Sequence, residues 1–291
     1  MSVELVLLGR VAYRDQEISG PRLGGLLALL AGDLRTGCSN ARLVEGLWPE
    51  AQPANPAKAV QILVSRARAQ LGAEVIARTP TGYRLTLDED RIDASALLLH
   101  ASAGAEHLRA GDHAAALARA DAGLALWEGP AGADGGSDDP VAILRTDRAS
   151  TRRSLVRIRA LALARLGRPA EAFEPLAELT RERPRDEEVL LELLRCEAAT
   201  TGPSSALARY EAYRRSLRDE LGTDPGAALQ AEHQQLLQGK APVVRHGVPY
   251  EPNPLLGRAD DIAAVTGLLR TSRVTSIVGP GGLGKTRLAY V

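Results

Sequence analysis

The longest uniform pattern in this 291-residue chain is helical and extends over residues 92–238. Its apolar runs are rich in alanine and leucine, with prolines where helices can begin and glycines where they can end. The starting prolines are Pro140, Pro169, Pro203 and Pro225, and the ending glycines are Gly111, Gly167 and Gly202. Consecutive short helices bury their apolar faces against one another, so the pattern predicts an all-α domain.

A short motif recurs inside this region. Gly111-x-x-x-x-Ala116-Leu117 returns as Gly167-x-x-x-x-Ala172-Phe173 and, one residue shorter, as Gly202-x-x-x-Ala206-Leu207. The last two glycines are 35 positions apart, close to the 34-residue period of tetratricopeptide repeats. Small residues at such positions let paired helices approach closely. Residues 92–238 are therefore expected to form stacked helical hairpins, interrupted by a surface loop at residues 129–140.

The first 91 residues show a different order of elements. Short strand patterns in residues 3–18 precede three helical patterns, the third of which begins at Asn55-Pro56 and ends at Gly72. An asparagine cap followed by proline at the first helical position is a strong start signal. The sequence VIARTPTGYRLTL then indicates a β-hairpin. Strands, three helices and a terminal hairpin predict a winged helix-turn-helix domain over residues 1–91.

The third helix and the hairpin concentrate positive charge. Residues 55–87 contain five basic side chains against Glu74 alone, although the formal net charge of the chain is zero. On the helix, the basic and polar side chains lie away from the apolar face. A helix of this kind can place arginine and glutamine against bases in the major groove, and a hairpin arginine can reach phosphate or the minor groove. The candidate DNA-binding residues are Lys58, Gln61, Ser65, Arg66 and Arg68 on the helix and Arg78 on the hairpin.

The end of the chain contains its most specific motif. Gly279-x-x-x-x-Gly284-Lys285-Thr286 has the spacing of a Walker A phosphate loop and follows an apolar run. In such a loop the backbone surrounds the phosphates, the lysine neutralises them and the threonine ligates Mg²⁺. The candidate nucleotide-binding residues are Gly279, Gly281, Gly282, Gly284, Lys285 and Thr286.

The acidic strand that completes a phosphate-loop site would follow the motif. Residues 255–291 are therefore expected to be the start of an α/β P-loop domain, truncated here and connected by a proline-rich linker at residues 239–254. We expect no ATP hydrolysis by this chain, and ATP with Mg²⁺ to act only in a longer parent protein.

Other classes of protein are disfavoured by the composition. No window approaches the roughly 18 uninterrupted apolar residues of a membrane span. The N-terminal sequence MSVELVLLGRV lacks the features of a signal peptide, so a cytoplasmic protein is expected. Cys38 and Cys196 are expected to be reduced thiols. The five histidines are scattered, and no nucleophile or carboxylate pair stands out, so neither a metal site nor a catalytic residue is predicted.

These segments together resemble the Streptomyces antibiotic regulatory protein family of transcriptional activators. KAVQILVSRARAQLG followed by TGYRL resembles the winged helix of response regulators. IDASALLLHA, ALALWEGPA and LARYEAYRRSLRDELGTDPGAALQAEHQQLL are similar to the bacterial transcriptional activation domain. LLGRADDIAAVTGLL and SIVGPGGLGKTRLA resemble the start of the NB-ARC-type ATPase module of the larger family members. The resemblance covers nearly the whole chain.

The resemblance implies a transcription activator that is not an enzyme. Such a protein binds direct repeats in promoter DNA, associates with further copies of itself there and recruits RNA polymerase holoenzyme through its sigma and alpha subunits. Its target would be an antibiotic or other secondary-metabolite gene cluster. DNA binding would require no cofactor, and the membrane is not expected to be a partner. The six candidate residues match the family's DNA-contacting positions, Tyr83 matches the wing tyrosine, and Thr81 lies in the turn beside it.

Two other hypotheses make different predictions. A nucleotide-dependent signalling switch, of which this chain is the N-terminal part, would bind ATP and lose that affinity in Lys285→Ala. An interaction scaffold with a degenerate N-terminal domain would not bind promoter DNA, and changes to Arg66 or Arg68 would have no effect.

Overall fold

The computed structural model describes residues 3–127, 138–238, 259–271 and 276. The backbone divides into two units, Met1–Leu237 and Gln238–Val291. The predicted linker at residues 239–254, the predicted phosphate loop at residues 279–286 and residues 129–137 of the predicted surface loop lie outside the described residues.

The N-terminal part of the first unit contains two small antiparallel sheets and three helices. The first sheet has the order β1-β2-β3, formed by Leu5–Val6, Ala12–Tyr13 and Gln16–Glu17. The helices are α1 (Pro21–Gly32), α2 (Asn40–Leu47) and α3 (Pro56–Leu71). The second sheet has the order β4-β6-β5, formed by Cys38–Ser39, Gly82–Leu85 and Ile76–Arg78.

Local chemistry explains where these elements begin. Ser39 caps α2, since its hydroxyl accepts the Arg42 N–H at 3.2 Å, and Trp48 is the C-cap residue of that helix. The turn between β2 and β3 places Arg14 and Asp15 at φ values of 48° and 65°. Two successive left-handed residues are the geometry of a tight hairpin turn, which usually selects glycine or asparagine. Neither glycine nor asparagine occupies these two positions, so the sequence does not indicate a tight turn here.

The rest of the first unit is helical. It contains α4 (Asp93–Arg109), α5 (His113–Ala125), α6 (Pro140–Arg165), α7 (Pro169–Glu182), α8 (Glu187–Thr200), α9 (Pro203–Leu221) and α10 (Ala227–Gln238). Three of these helices begin at predicted prolines, and α10 begins two residues after Pro225. From α4 to α9 each helix packs against the next. The described residues confirm the predicted mainly α fold, a winged helix-turn-helix followed by helical repeats.

The long helix α6 also packs against α1 of the winged helix-turn-helix. Two glycines of α1 face the start of α6, and only the second, Gly25, leaves too little room for a Cβ. A Cβ at Gly24 would stand 3.5 Å from Val141 Cγ2, and one at Gly25 would stand 3.3 Å from Pro140 Cγ. One large apolar cluster accordingly extends from Leu5 to Cys196, across both predicted domains.

Buried polar contacts reinforce the junction between the two predicted domains. Asp93, the first residue of α4, is 1% exposed and accepts the backbone N–H groups of Leu7 at 2.7 Å and Leu8 at 2.8 Å. Arg145 of α6 donates to the carbonyl oxygens of Leu7, at 2.9 Å, and Gly9. Because buried backbone groups are costly to leave unpaired, these contacts hold the N-terminal strand segment against the helices.

In the second unit, the structure describes the helix α11 (Ala259–Thr271). Among the described residues of either unit, no helix is both long and apolar enough to cross a membrane.

Candidate nucleic-acid interface

Helix α3 begins and ends at chemically defined positions. The Asn55 side chain accepts the Lys58 N–H at 3.0 Å, and Pro56 occupies the first turn, where its missing N–H costs nothing. Gly72 ends the helix with a φ of 110°. One face of α3 is buried in the domain core, formed by Val60, Leu63, Val64, Ala67 and Leu71, as the sequence predicts.

The opposite face of α3 is open to solvent. Four of the five predicted helix residues lie there together and are exposed, namely Lys58, Gln61, Ser65 and Arg66. At 100° per residue they follow one side of the helix over more than two turns. The structure thus brings these four side chains onto one accessible surface.

Arg68 takes a different position from the one expected. Its guanidinium donates from Nε at 3.0 Å and from Nη2 at 2.8 Å to the carbonyl oxygen of Ile76 in β5. Arg68 lies at the edge of the helix face, close enough to the hairpin to reach this carbonyl. Its guanidinium joins α3 to the hairpin in this structure and does not project from the exposed face.

Tyr83 also departs from the expectation. It is 6% exposed and forms part of the core, opposite Cys38 in the β4–β6 pairing. Side chains alternate between the two faces of a strand, so the exposed residue of this segment is the next one, Arg84. Arg78 and Thr81, the other two predicted residues of the hairpin, are exposed. Arg84 was not among the predicted residues, although the alternation in GYRL could have indicated that it is exposed.

The exposed basic residues of α3 and the hairpin have no acidic partners in the part of the chain that the structure describes. Among the described residues, none of Lys58, Arg66, Arg78 and Arg84 forms an ion pair. The helical domain differs, because many of its arginines do form ion pairs: Arg157, Arg159, Arg165, Arg168, Arg181, Arg185, Arg195, Arg209, Arg214 and Arg218. The α3 and hairpin surface therefore has positive charge that is not neutralised locally.

A second basic residue lies beside Arg66. Arg22, near the start of α1, lines with Arg66, Ala69 and Gln70 a cleft of about 630 Å³. Its guanidinium carbon lies 5.4 Å from the centre of the Trp48 ring, a cation–π arrangement that restrains the side chain. Arg22 was not predicted, because it lies on a different helix more than 30 positions before α3 and only the fold brings it to the same cleft as Arg66.

The other predicted residues fall into two groups, those outside the described residues and those that are buried. The predicted phosphate-loop residues lie outside the described residues. Cys38 and Cys196 are free and buried, and burial raises the pKa of each thiol to about 11. Within residues 3–127, 138–238 and 259–271, no group of three or more histidine, cysteine, aspartate or glutamate side chains could hold a metal ion.

Comparison with known families matches residues 92–237 to the bacterial transcriptional activator domain. The chain is 31% identical to the transcriptional regulator RedD of Streptomyces coelicolor, in an alignment that covers 86% of this chain and 76% of RedD. It is 32% identical to the regulatory protein AfsR of the same organism, over 97% of this chain but only 31% of AfsR. The chain thus spans about a third of the length of that relative.

The fold is similar to a solved structure, that of Mycobacterium tuberculosis EmbR in complex with a low affinity phosphopeptide. The TM-score is 0.62 at 23% identity, and the match covers 93% of this chain and 69% of that one. An activator domain fills half of the chain, and three quarters of RedD is matched at 31% identity. The chain belongs to the Streptomyces antibiotic regulatory protein family of transcriptional activators.

Proposed function

We propose that this protein binds direct repeats in promoter DNA and activates transcription of a secondary-metabolite gene cluster by recruiting RNA polymerase holoenzyme. The observation on which this depends is the exposed face of α3, where Lys58, Gln61, Ser65 and Arg66 lie together without acidic partners among the described residues. A basic helix of this kind fits the major groove, in which each base pair presents its own pattern of donors and acceptors.

Each side chain has a chemical role in the proposed complex. Arg66 is suited to pair with guanine O6 and N7, and Gln61 with adenine N6 and N7. Lys58, at the start of α3, would neutralise a phosphate and release its counterion. On the hairpin, Arg78 and Arg84 would reach the backbone or the adjacent minor groove.

Arg68 and Tyr83 would act indirectly. Arg68 holds the hairpin against α3 through the Ile76 carbonyl, and Tyr83 packs beneath the same hairpin. Both fix the angle between α3 and the hairpin, and that angle decides whether the two elements can contact one duplex together.

The helical domain would contact sigma and alpha subunits of the polymerase. The junction at Asp93 and Arg145 supports this role, because it gives the helical domain a defined orientation relative to α3. Direct repeats would place successive copies head to tail, so that contact between copies uses two different surfaces. DNA binding would require no nucleotide, with ATP and Mg²⁺ acting only in a longer parent protein.

The DNA-binding proposal can be tested by fluorescence anisotropy with the promoter fragment upstream of the protein's own gene and a scrambled duplex. We expect the promoter to bind at least about 10³-fold more tightly, the lower end for specific binders. Arg66→Ala should weaken promoter binding by about 1–3 kcal/mol and reduce the preference over scrambled DNA. Lys58→Ala should weaken both duplexes alike and lower the salt slope by about one.

Arg153→Ala provides the matched control, since Arg153 is an exposed arginine of α6 far along the chain from α3. Its removal changes the net charge equally and should leave the promoter preference intact. Lys285→Ala and added ATP should also have no effect. Equal, weak binding of both duplexes that does not change in Arg66→Ala would refute the DNA-binding proposal.

Recruitment needs a separate measurement. Run-off transcription with purified holoenzyme should increase when the protein is added to its promoter, and Arg66→Ala should abolish the increase. Specific DNA binding without any increase would leave the DNA-binding part standing and contradict the recruitment part.

A further inference from the structure

Ile62 is an unusual residue for the surface on which it lies. It is 47% exposed, and among described residues 3–91 no other large apolar side chain is exposed to solvent in this way. The buried face of α3 is centred on Val60, and Ile62 lies near the opposite pole of the helix. In this position the Ile62 side chain does not contribute to the domain core.

The neighbours of Ile62 belong to the candidate DNA-binding surface. Lys58 lies four residues before it, Ser65 three after and Arg66 four after, so all three are adjacent on the helix face. Each of them is exposed. Ile62 thus stands at the centre of the polar and basic group that would enter the major groove.

We propose that Ile62 is a specificity-determining residue that contacts the C5-methyl group of a thymine in the major groove. This inference rests on the proposed DNA binding through α3. The thymine methyl is the one apolar group that base edges present in that groove, and apolar side chains recognise it by contact. Contact with the methyl removes from water part of an apolar surface that is costly to leave exposed.

Two features favour a single methyl over an apolar protein partner. Protein docking surfaces need several contiguous apolar side chains, whereas Ile62 is flanked by lysine, serine and arginine. The isoleucine is also β-branched and has one strongly preferred χ1 rotamer in a helix. Little side-chain freedom is therefore lost when it contacts the base, which suits a contact made by one residue alone.

The test removes each side of the proposed contact in turn, the thymine methyl from the DNA and the isoleucine side chain beyond Cβ from the protein. Duplexes that bind the full chain would be selected from a random-sequence pool, and each thymine of the selected site would be replaced singly by deoxyuridine, which lacks only the C5-methyl. Affinity would be measured by fluorescence anisotropy for the unchanged protein and for Ile62→Ala. We expect one thymine per repeat at which deoxyuridine weakens binding of the unchanged protein about fourfold, the factor for one buried methyl-sized group.

Ile62→Ala should weaken binding to the parent duplex by a similar factor, and deoxyuridine at the same position should cause no further loss. Ile143→Ala is the matched control, because Ile143 is also an isoleucine that is 47% exposed but lies on α6. It should bind every duplex like the unchanged protein. Since Ile62 is exposed and alanine favours helix, Ile62→Ala should keep its thermal stability.

The outcomes separate this inference from the function on which it rests. If no thymine is sensitive to deoxyuridine, or if the loss is equal in Ile62→Ala, the assignment of Ile62 is wrong. In that case a loss of affinity in Arg66→Ala on the same duplex would still support DNA binding by α3. If selection yields no preferred sequence and Arg66→Ala has no effect, the proposed function itself is wrong.

Discussion

At the start of β6, Gly82 lies directly against the backbone of β4. A Cβ at this position would stand 2.1 Å from the Cys38 carbonyl oxygen and 2.9 Å from the Asn40 nitrogen. The Gly82 N–H is donated to Thr79 Oγ1 at 2.9 Å, which closes the hairpin turn. Glycine is required here because the strands approach too closely for any side chain, although its φ is not in the left-handed region.

Gly82→Ala should therefore destabilise the protein by about 1–3 kcal/mol, the usual cost of forcing extra atoms into a packed site. The measurement is the free energy of unfolding in urea. Gly32→Ala is the control, because a Cβ there meets nothing within 4 Å and the residue is helical. That change should be neutral or stabilising, by up to about 1 kcal/mol. Equal changes in the free energy of unfolding for the two variants would show that the close approach of β4 does not require glycine at position 82.

At the scale of elements, the important relation is between α3 and the hairpin of β5 and β6. The hairpin packs on the domain through Ile76, Tyr83 and Leu85, and Arg68 ties its first strand to α3. A recognition helix and a wing must keep a constant angle to contact one duplex. Residues that join the two elements can thus affect DNA binding without touching DNA.

Arg68→Ala should lower the free energy of unfolding by about 1.5–3 kcal/mol, the range for hydrogen bonds to a charged group. Its loss of DNA affinity should be smaller than that of Arg66→Ala, whose side chain has no partner in the described structure. Urea unfolding and anisotropy on the same preparations measure both quantities. A large loss of affinity in Arg68→Ala at unchanged stability would instead indicate a direct DNA contact.

At the scale of the whole molecule, the winged helix-turn-helix and the helical domain share one unit from Met1 to Leu237. Trp48 belongs to the first and Trp127 to the second, and both are buried. Trp48→Phe and Trp127→Phe each leave one tryptophan as a reporter. We expect the two fluorescence transitions in urea to have the same midpoint, since one core extends through both parts. Separate midpoints would show that the two parts unfold independently.

The junction should also respond to pH. Burial raises the pKa of Asp93 to about 6, against about 3.9 for an unfolded aspartate. Between these values the folded protein keeps a proton that the unfolded chain has released. The stabilising contribution of Asp93 is therefore fully present below about pH 4 and is lost as the pH rises through about 6.

The difference in free energy of unfolding between the unchanged protein and Asp93→Asn should consequently decrease from pH 4 to pH 7. Urea unfolding at intervals of half a pH unit measures it, and the asparagine variant subtracts the titration of all other groups. A difference that is constant over this range would contradict the raised pKa.

Much of the local structure follows from the sequence by itself. The cap at Asn55-Pro56, the end of α3 at Gly72, the proline starts of α6, α7 and α9, and the apolar face of α3 were all predictable. These features depend on residues a few positions apart, whose backbone preferences and helical periodicity do not need the rest of the fold. The exposed positions of Lys58, Gln61, Ser65 and Arg66 follow from the same periodicity.

Only the tertiary structure decided which of these residues share a surface. Arg68 and Tyr83 match the sequence pattern, yet one pairs with the Ile76 carbonyl and the other enters the core. Arg22 lines the same cleft as Arg66. Asp93 accepts hydrogen bonds from Leu7 and Leu8, which lie more than 80 positions earlier in the chain. Such contacts depend on how helices and strands pack, and a single sequence gives no distance between residues that lie dozens of positions apart.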